Sequence, residues 1–160
     1  LEMNNKPNFD WPKNLKYKLS ILLAESFPAW YFLFFYKQVG KNYYWTDWLR
    51  KSEDEIDVFV NDKNVLFYTL IKDGWPVGFY MLDYRKKDIC DLSFFGLVDE
   101  VIGIGLGKYL LQTAILTAWD NKKIKKLTVN TCSLDHKSAI YLYQKYGFTP
   151  VKYKDLEKTV

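Results

Sequence analysis

Residues 89–107 read Ile89-Cys90-Asp91-Leu92-Ser93-Phe94-Phe95-Gly96-Leu97-Val98-Asp99-Glu100-Val101-Ile102-Gly103-Ile104-Gly105-Leu106-Gly107, and their order decides the fold. Residues 89–98 have the continuous apolar character of a largely buried strand. A turn with glycines at 103, 105 and 107 follows. Residues 106–119 then carry Leu106, Leu110, Ala114 and Ala118 at the spacing of one helix face. Beyond a charged loop at 121–126, the β-branched stretch 127–132 reads as a strand. Strand, helix and strand in that order predict a β-α-β unit with parallel strands and a right-handed crossover.

Working upstream, residues 64–72 and 77–84 read as strands on either side of Asp73-Gly74. Asp-Gly between two such runs is a hairpin signal. With the polar turn at 85–88, the three strands form an antiparallel meander. Residues 15–23 alternate weakly and read as a first strand. Residues 27–39 are apolar nearly all round, the pattern of a helix buried on several faces, with Gly40 ending it. Thr46 is placed to cap a short helix holding Trp48 and Leu49. Ser52 followed by Glu55 is a capping-box signature for a helix to about residue 60. Downstream, Asp135 or Ser133 caps a final helix that ends at Gly147, and 148–153 read as a last strand. The expectation is an α+β chain, one domain over 1–160, with a central mixed sheet of about six to seven strands flanked by helices.

Composition narrows the function classes. Hydrophobic residues make up 49% of the 160, enough for a real core, and aromatics reach 19%. The net charge of +4 is too mild to argue for nucleic acid, which needs a clustered basic face. The run Lys122, Lys123, Lys125 and Lys126 reads as a solvated loop. Cys90 and Cys132 form no C-x-x-C motif, and with one histidine in the chain no metal site is expected. Reduced thiols in a cytoplasm are the simple reading. The N-terminus is polar where a secretory signal would be apolar, and Leu1 and Glu2, ahead of Met3, read as an addition to the natural chain. The most apolar stretch, 27–36, is about half of the ~20 residues a membrane span needs, so no membrane is expected as a partner.

The run Ile102-Gly103-Ile104-Gly105-Leu106-Gly107 is the strongest local feature. Glycines there let main chain approach a ligand, and N–H groups at a helix start suit a pyrophosphate. From spacing alone, a tight connection without a ligand is equally consistent. A dinucleotide fold would need G-x-G-x-x-G and an acidic residue at the next strand. Here the spacing is G-x-G-x-G, and the run Leu127 to Thr131 carries no carboxylate. A P-loop is excluded because Lys108 is followed by Tyr109.

From Leu92 to Phe148 the sequence resembles the GNAT superfamily of acetyl-CoA-dependent N-acetyltransferases. The family signature Q/R-x-x-G-x-G/A falls on 102–107, and the family pattern A-x-x-x-Y-x-x-x-G-F falls on Ala139, Tyr143, Gly147 and Phe148. The Asp73-Gly74 hairpin through Gly78 is similar to the family's second and third strands. Firm coverage is 64–150; the first 60 residues match only in the order of elements. Phe94 to Leu97, the glycine loop and Thr131 to His136 are similar to a bacterial subgroup with no settled substrate. One departure is Ile102, where the signature has Gln or Arg.

The resemblance implies an acyltransferase that moves an acetyl group from acetyl-CoA to a primary amine by direct attack, with no metal and no covalent enzyme intermediate. It implies a cleft where strands 89–98 and 127–132 splay. Backbone at Leu97 and Val98 would pair with the pantetheine arm, and the N–H groups of Ile102, Gly103, Ile104, Gly105, Leu106, Gly107 and Lys108 would hold the pyrophosphate. Asn130, Asp135 and Ser138 are further cofactor contacts; for the last two, plain capping is equally consistent. Tyr143 aligns with the tyrosine that protonates the departing thiolate in many members, its alternative being sheet packing. Asp91, entering its strand, is the carboxylate expected as base, its alternative a strand-end surface residue. His136 is read as a capping or ligand-contact residue. Trp30, Tyr31, Phe34, Phe35, Tyr36, Tyr43, Tyr44, Trp45 and Trp48 crowd the acceptor segment. Most are expected in the core; some would line a pocket for an apolar or aromatic amine, with Glu25 or Asp47 attracting its charge. The alternative function is a silent GNAT-fold module that binds acyl-CoA or a protein. Homodimers are common in the family, and the sequence reveals no interface.

Overall fold

The computed structural model describes residues 1–13, 16–132, 135 and 138–151. Strands β1 (Glu2–Met3), β2 (Leu19–Ala24), β3 (Val65–Lys72), β4 (Trp75–Asp83), β5 (Ile89–Leu97) and β6 (Lys126–Val129) form one sheet in the order β1-β6-β5-β4-β3-β2. β2 to β5 are antiparallel, and β5 and β6 are parallel. The β3–β4 turn is a two-residue hairpin with Asp73 at φ 51° and Gly74 at φ 90°. Both values lie in the left-handed region, which is why Asp-Gly is the sequence found there.

Helices α1 (Ala29–Gly40) and α2 (Glu53–Val60) cover one face of the sheet, while α3 (Leu106–Trp119) and α4 (Ala139–Lys145) cover the other. The side-chain pairs fix these faces: Tyr31 Oη lies 2.9 Å from Thr69 Oγ1 on the α1 face, and Tyr80 Oη lies 3.1 Å from Thr117 Oγ1 on the α3 face. The aromatic density is concentrated under α1. Phe32, Phe35, Phe67 and Phe79 are fully buried. Phe32 meets the rings of Tyr36, Trp48, Phe59 and Phe94 with centroids 5.3–6.3 Å apart, within the range of favourable edge and offset contacts. The Ser52–Glu55 capping box forms as its spacing predicts. Gly147, at φ 112° just past α4, ends that helix in the left-handed conformation.

Several boundaries differ from expectation. Gly40 is the last residue of α1, not its left-handed terminator; a Cβ there would sit 2.6 Å from ring carbons of Trp45. The element after Thr46 is a single 3-10 turn, Asp47–Arg50, and the Thr46 side chain makes no cap bond. β6 ends at Val129, three residues before the predicted limit at 132. Ser138, not Asp135, holds the N-cap position of α4, without a side-chain cap bond. Among the described residues, the expected last strand shows one bridge, Glu2 with Thr149. Leu1 and Glu2 are built into the sheet: the Leu1 amine donates to Val129 O at 2.9 Å and Glu2 pairs with Lys126 at 3.2 Å. Leu15, Ser133, His136, Lys152 and Tyr153, which figure in the predicted elements and contacts, lie outside the described residues.

Candidate active site

β5 and β6 are paired only from Ile89↔Lys126 to Leu92↔Val129. β5 runs on to Leu97 while β6 stops, so the main chain from Ser93 to Leu97 has one open edge. Its other edge also breaks register, because Met81 pairs with Phe94 and Leu82 with Leu92. Ser93 is therefore the extra residue of a β-bulge, a device that re-aims side chains and leaves a residue unpaired in its ladder. The cavity that opens here has a volume of about 340 Å³ and is lined by every residue from Leu92 to Leu97.

The cavity passes through the plane of the sheet. On the α3 face its walls are Phe95, Leu97, Gly107, Leu142 and Tyr143; on the α1 face they are Val39, Tyr43, Trp45 and Phe94. Ile102, Gly103 and Lys108 close one end, and Asn130, Asp135, Ser138 and Ala139 the side beyond β6. Gly96 is required at this crossing: a Cβ on it would collide with Val39 Cγ1.

The glycine loop is shaped as a helix-start anion site. Gly103 and Gly105 have φ 91° and 90°, a conformation L side chains avoid, and Gly105 is the N-cap of α3. The first backbone bond of that turn is Tyr109 N to Gly105 O at 3.4 Å. The N–H groups ahead of it belong to the helix start, where intrahelical partners are lacking and the dipole attracts negative charge. Ile102 departs from the expectation, because its N–H donates to Asp99 O at 3.2 Å within the 3-10 turn Asp99–Val101. Val98 departs too: its N–H donates to Val77 O at 2.8 Å and its carbonyl accepts from Val101 N, so its main chain is already engaged.

Among the other predicted residues, Leu97, Lys108, Asn130, Asp135, Ser138 and Tyr143 are brought together around the cavity. Ile104, Gly105 and Leu106 are not among the lining residues, and Leu106 is buried in the core. Asp91 is not brought to it. Its carboxylate accepts from Thr128 Oγ1 at 2.6 Å and Ser93 Oγ at 3.0 Å, and it is not among the lining residues. The base role expected of Asp91 has no geometric support; its bonds hold the bulged Ser93 and strand β6 in place. Glu25 and Asp47 also lie outside the lining. Of the nine aromatic residues in the acceptor segment only Tyr43 and Trp45 line the cavity. Trp30, at 68% exposure, faces solvent, whereas Phe35 and Tyr36 are buried. Ser93, Val39 and Leu142 also line the cavity, and no local signal in the sequence marks them for it.

Asp135 is a hub. Its Oδ1 accepts from Trp45 Nε1 at 3.1 Å, and its Oδ2 accepts from Thr131 Oγ1 at 2.8 Å and Cys132 N at 3.0 Å. The same acceptor loop is tied at its other end, where Asn42 Nδ2 donates to Asp99 Oδ2 at 2.7 Å. The segment 42–45 thus bridges the two lips of the cleft. Burial, reinforced by the charge of Asp135, pushes the Tyr143 phenol well above its ordinary range. Tyr43 is raised by burial and by Asp99 and Asp135. Both phenols hold their protons at neutral pH.

No curated protein matches the chain. The solved aminoglycoside acetyltransferase meta-AAC0020 from an uncultured soil metagenomic sample, in complex with trehalose, superposes with a TM-score of 0.67 at 14% identity, covering 89% of this chain and 96% of that one. An IAA acetyltransferase from Bacillus cereus ATCC 14579 gives 0.63 at 23% identity, covering 84% and 79%. A GNAT family acetyltransferase from Elizabethkingia anophelis with acetyl-CoA bound gives the same score, identity and share of this chain, and covers 78% of its own. At these identities the likeness shows the fold. The model of the acetyltransferase (GNAT) family matches residues 23–148, and the chain belongs to that family of acyltransferases.

Proposed function

We propose that the chain transfers an acetyl group from acetyl-CoA to a primary amine by direct attack within a ternary complex. The observation that carries the reading is the coincidence of an open β5 edge, Ser93 to Leu97, with a glycine-lined helix start at one end of the same cavity. An extended chain bearing amide groups can pair with such an edge, and its pyrophosphate end suits the N–H groups from Gly103 to Lys108. Lys108 adds a cation there. Acetyl-CoA supplies the activated acyl group: a nitrogen–carbon bond forms, the carbon–sulfur bond breaks, the amine loses one proton and the departing thiolate gains one.

The chain's own residues position and stabilise. The bulge at Ser93 frees main chain at the strand edge, and Asp91 braces it from behind through the Ser93 hydroxyl. Tyr143, protonated and lining the cavity, donates a hydrogen bond to the leaving sulfur. Burial keeps its phenol protonated and so available to the leaving sulfur. The test is a thermal-shift titration with acetyl-CoA against free CoA, NAD and ATP. Selective stabilisation that grows with ligand concentration is expected. No shift with acetyl-CoA would overturn the reading.

A further inference from the structure

The α1-face end of the cavity, where the acceptor must enter if the cavity is an acyl-transfer site, has a chemistry of its own. Its walls are Val39, Tyr43, Trp45 and Phe94, with Tyr36 packed behind Trp45 at 5.6 Å between ring centroids and Phe94 against it at 6.1 Å. Among the described lining residues Asp135 is the one carboxylate, and three donors already occupy it. Lys108 is the one described lining cation, and it stands with Ile102 and Gly103 at the glycine-loop end of the cavity. No described lining residue is a carboxylate or imidazole free to accept a proton.

Two requirements follow. Among the described lining residues a polycationic acceptor finds no carboxylate that is not already engaged by three donors, and unpaired charge in an apolar cavity is costly. An alkylamine with a pKa near that of lysine, about 10.4, is almost wholly ammonium at neutral pH and must be deprotonated before it attacks. An amine attached to an aromatic ring is neutral already. Its ring also matches the Tyr43, Trp45 and Phe94 walls in the offset and edge geometries aromatic pairs prefer.

We infer that the acceptor is a small, weakly basic arylamine, seated against Tyr43, Trp45 and Phe94, and not a polycation or a lysine side chain. The inference rests on the acyl-transfer reading above. Attack by the neutral nitrogen gives the N-acetyl arylamine and free CoA; the proton lost by nitrogen balances the one gained by sulfur, and no further co-reactant is required.

The experiment measures CoA thiol release by the full chain with acetyl-CoA and three probes: para-substituted anilines, the aminoglycoside sisomicin and a lysine-containing peptide. Anilines are expected to react at least about tenfold faster in kcat/KM, a margin equal to about 1.4 kcal/mol. Their rates should be level across neutral pH. Tyr43→Ala should raise the aniline KM about tenfold, leaving the acetyl-CoA KM unchanged. Trp45→Phe, which keeps a ring but loses the bond to Asp135, should raise it less; circular dichroism checks that each variant folds. Faster turnover of sisomicin or the peptide overturns the inference and leaves the acyl-transfer reading intact. So does an acetyl-CoA complex that turns over none of the anilines. Failure of acetyl-CoA to bind removes both readings together.

Discussion

The two sides of the cleft are made from different materials. Between Ser93 and Lys108 main chain lies open: a strand edge, a bulge, two left-handed glycines and a helix start. From Val39 to Trp45 it is side chain: a branched aliphatic and two rings, of which Trp45 packs on the rings of Tyr36 and Phe94. A main-chain surface recognises what any amide or phosphate presents. A side-chain surface recognises one shape. The donor side can therefore be read from motif and topology, whereas the acceptor side is particular to this sequence.

The largest effect on the acceptor side is expected at Phe32, which is buried and meets rings on α1, α2 and β5. Phe32→Ala should cost about 3–5 kcal/mol of stability, as large aromatic truncations do, read as a lowered midpoint in urea. The folded fraction should retain its acetyl-CoA affinity; a lost affinity would mean that the two sides are not separable. A smaller effect is expected at Gly40, where a Cβ meets the Trp45 ring at 2.6 Å. Gly40→Ala should cost about 1–3 kcal/mol as overpacking and raise the amine KM, leaving the acetyl-CoA KM unchanged. Gly105→Ala tests the other side. At φ 90° the added Cβ costs roughly 1–2 kcal/mol, and the expected kinetic signature is reversed: weaker acetyl-CoA binding and an unaltered amine KM.

The last prediction has no effect at neutral pH. Burial pushes the Cys90 thiol from 9.0 up to about 12 and raises the phenols of Tyr80, Tyr84 and Tyr143 above their ordinary value of 10.0. All are groups that lose a proton to become charged, and the unfolded chain loses those protons first. Stability is therefore complete below about pH 9 and falls as pH rises through the folded values. Melting temperatures measured from pH 8 to pH 11 should decline, and Tyr143→Phe should make the decline shallower. An unchanged slope would show that Tyr143 titrates equally in both states.

Much of the frame was legible in the sequence because local rules and tertiary structure agree there. The Asp73-Gly74 turn, the Ser52–Glu55 box and the order of strand, glycines and helix each specify their own geometry. The two-residue strand β1 was not legible. It has no period to detect, and its partner, β6, lies more than a hundred residues away in sequence. The fate of the nine acceptor-segment aromatics was also hidden. Tyr43 and Trp45 reach the cavity because α1 carries Val39 onto Gly96 and leaves Trp45 lying on Gly40. Those are contacts between distant positions that no spacing records. Asp91 shows the same limit: a carboxylate at a strand entrance is visible in a sequence, but the threonine on the neighbouring strand that engages it is not.

The segment 42–45 is pinned at both ends to the banks of the channel it crosses, through Asn42 to Asp99 and Trp45 to Asp135. Under the proposed function those banks are also what grips the donor, so the wall that meets one substrate hangs from the structure that meets the other. Whatever stiffens the banks stiffens the wall, and a factor by which the donor tightens the acceptor must return as the same factor in the opposite direction. Donor titrations with and without a bound amine would measure that shared factor; two curves that coincide would mean that the span bears no load.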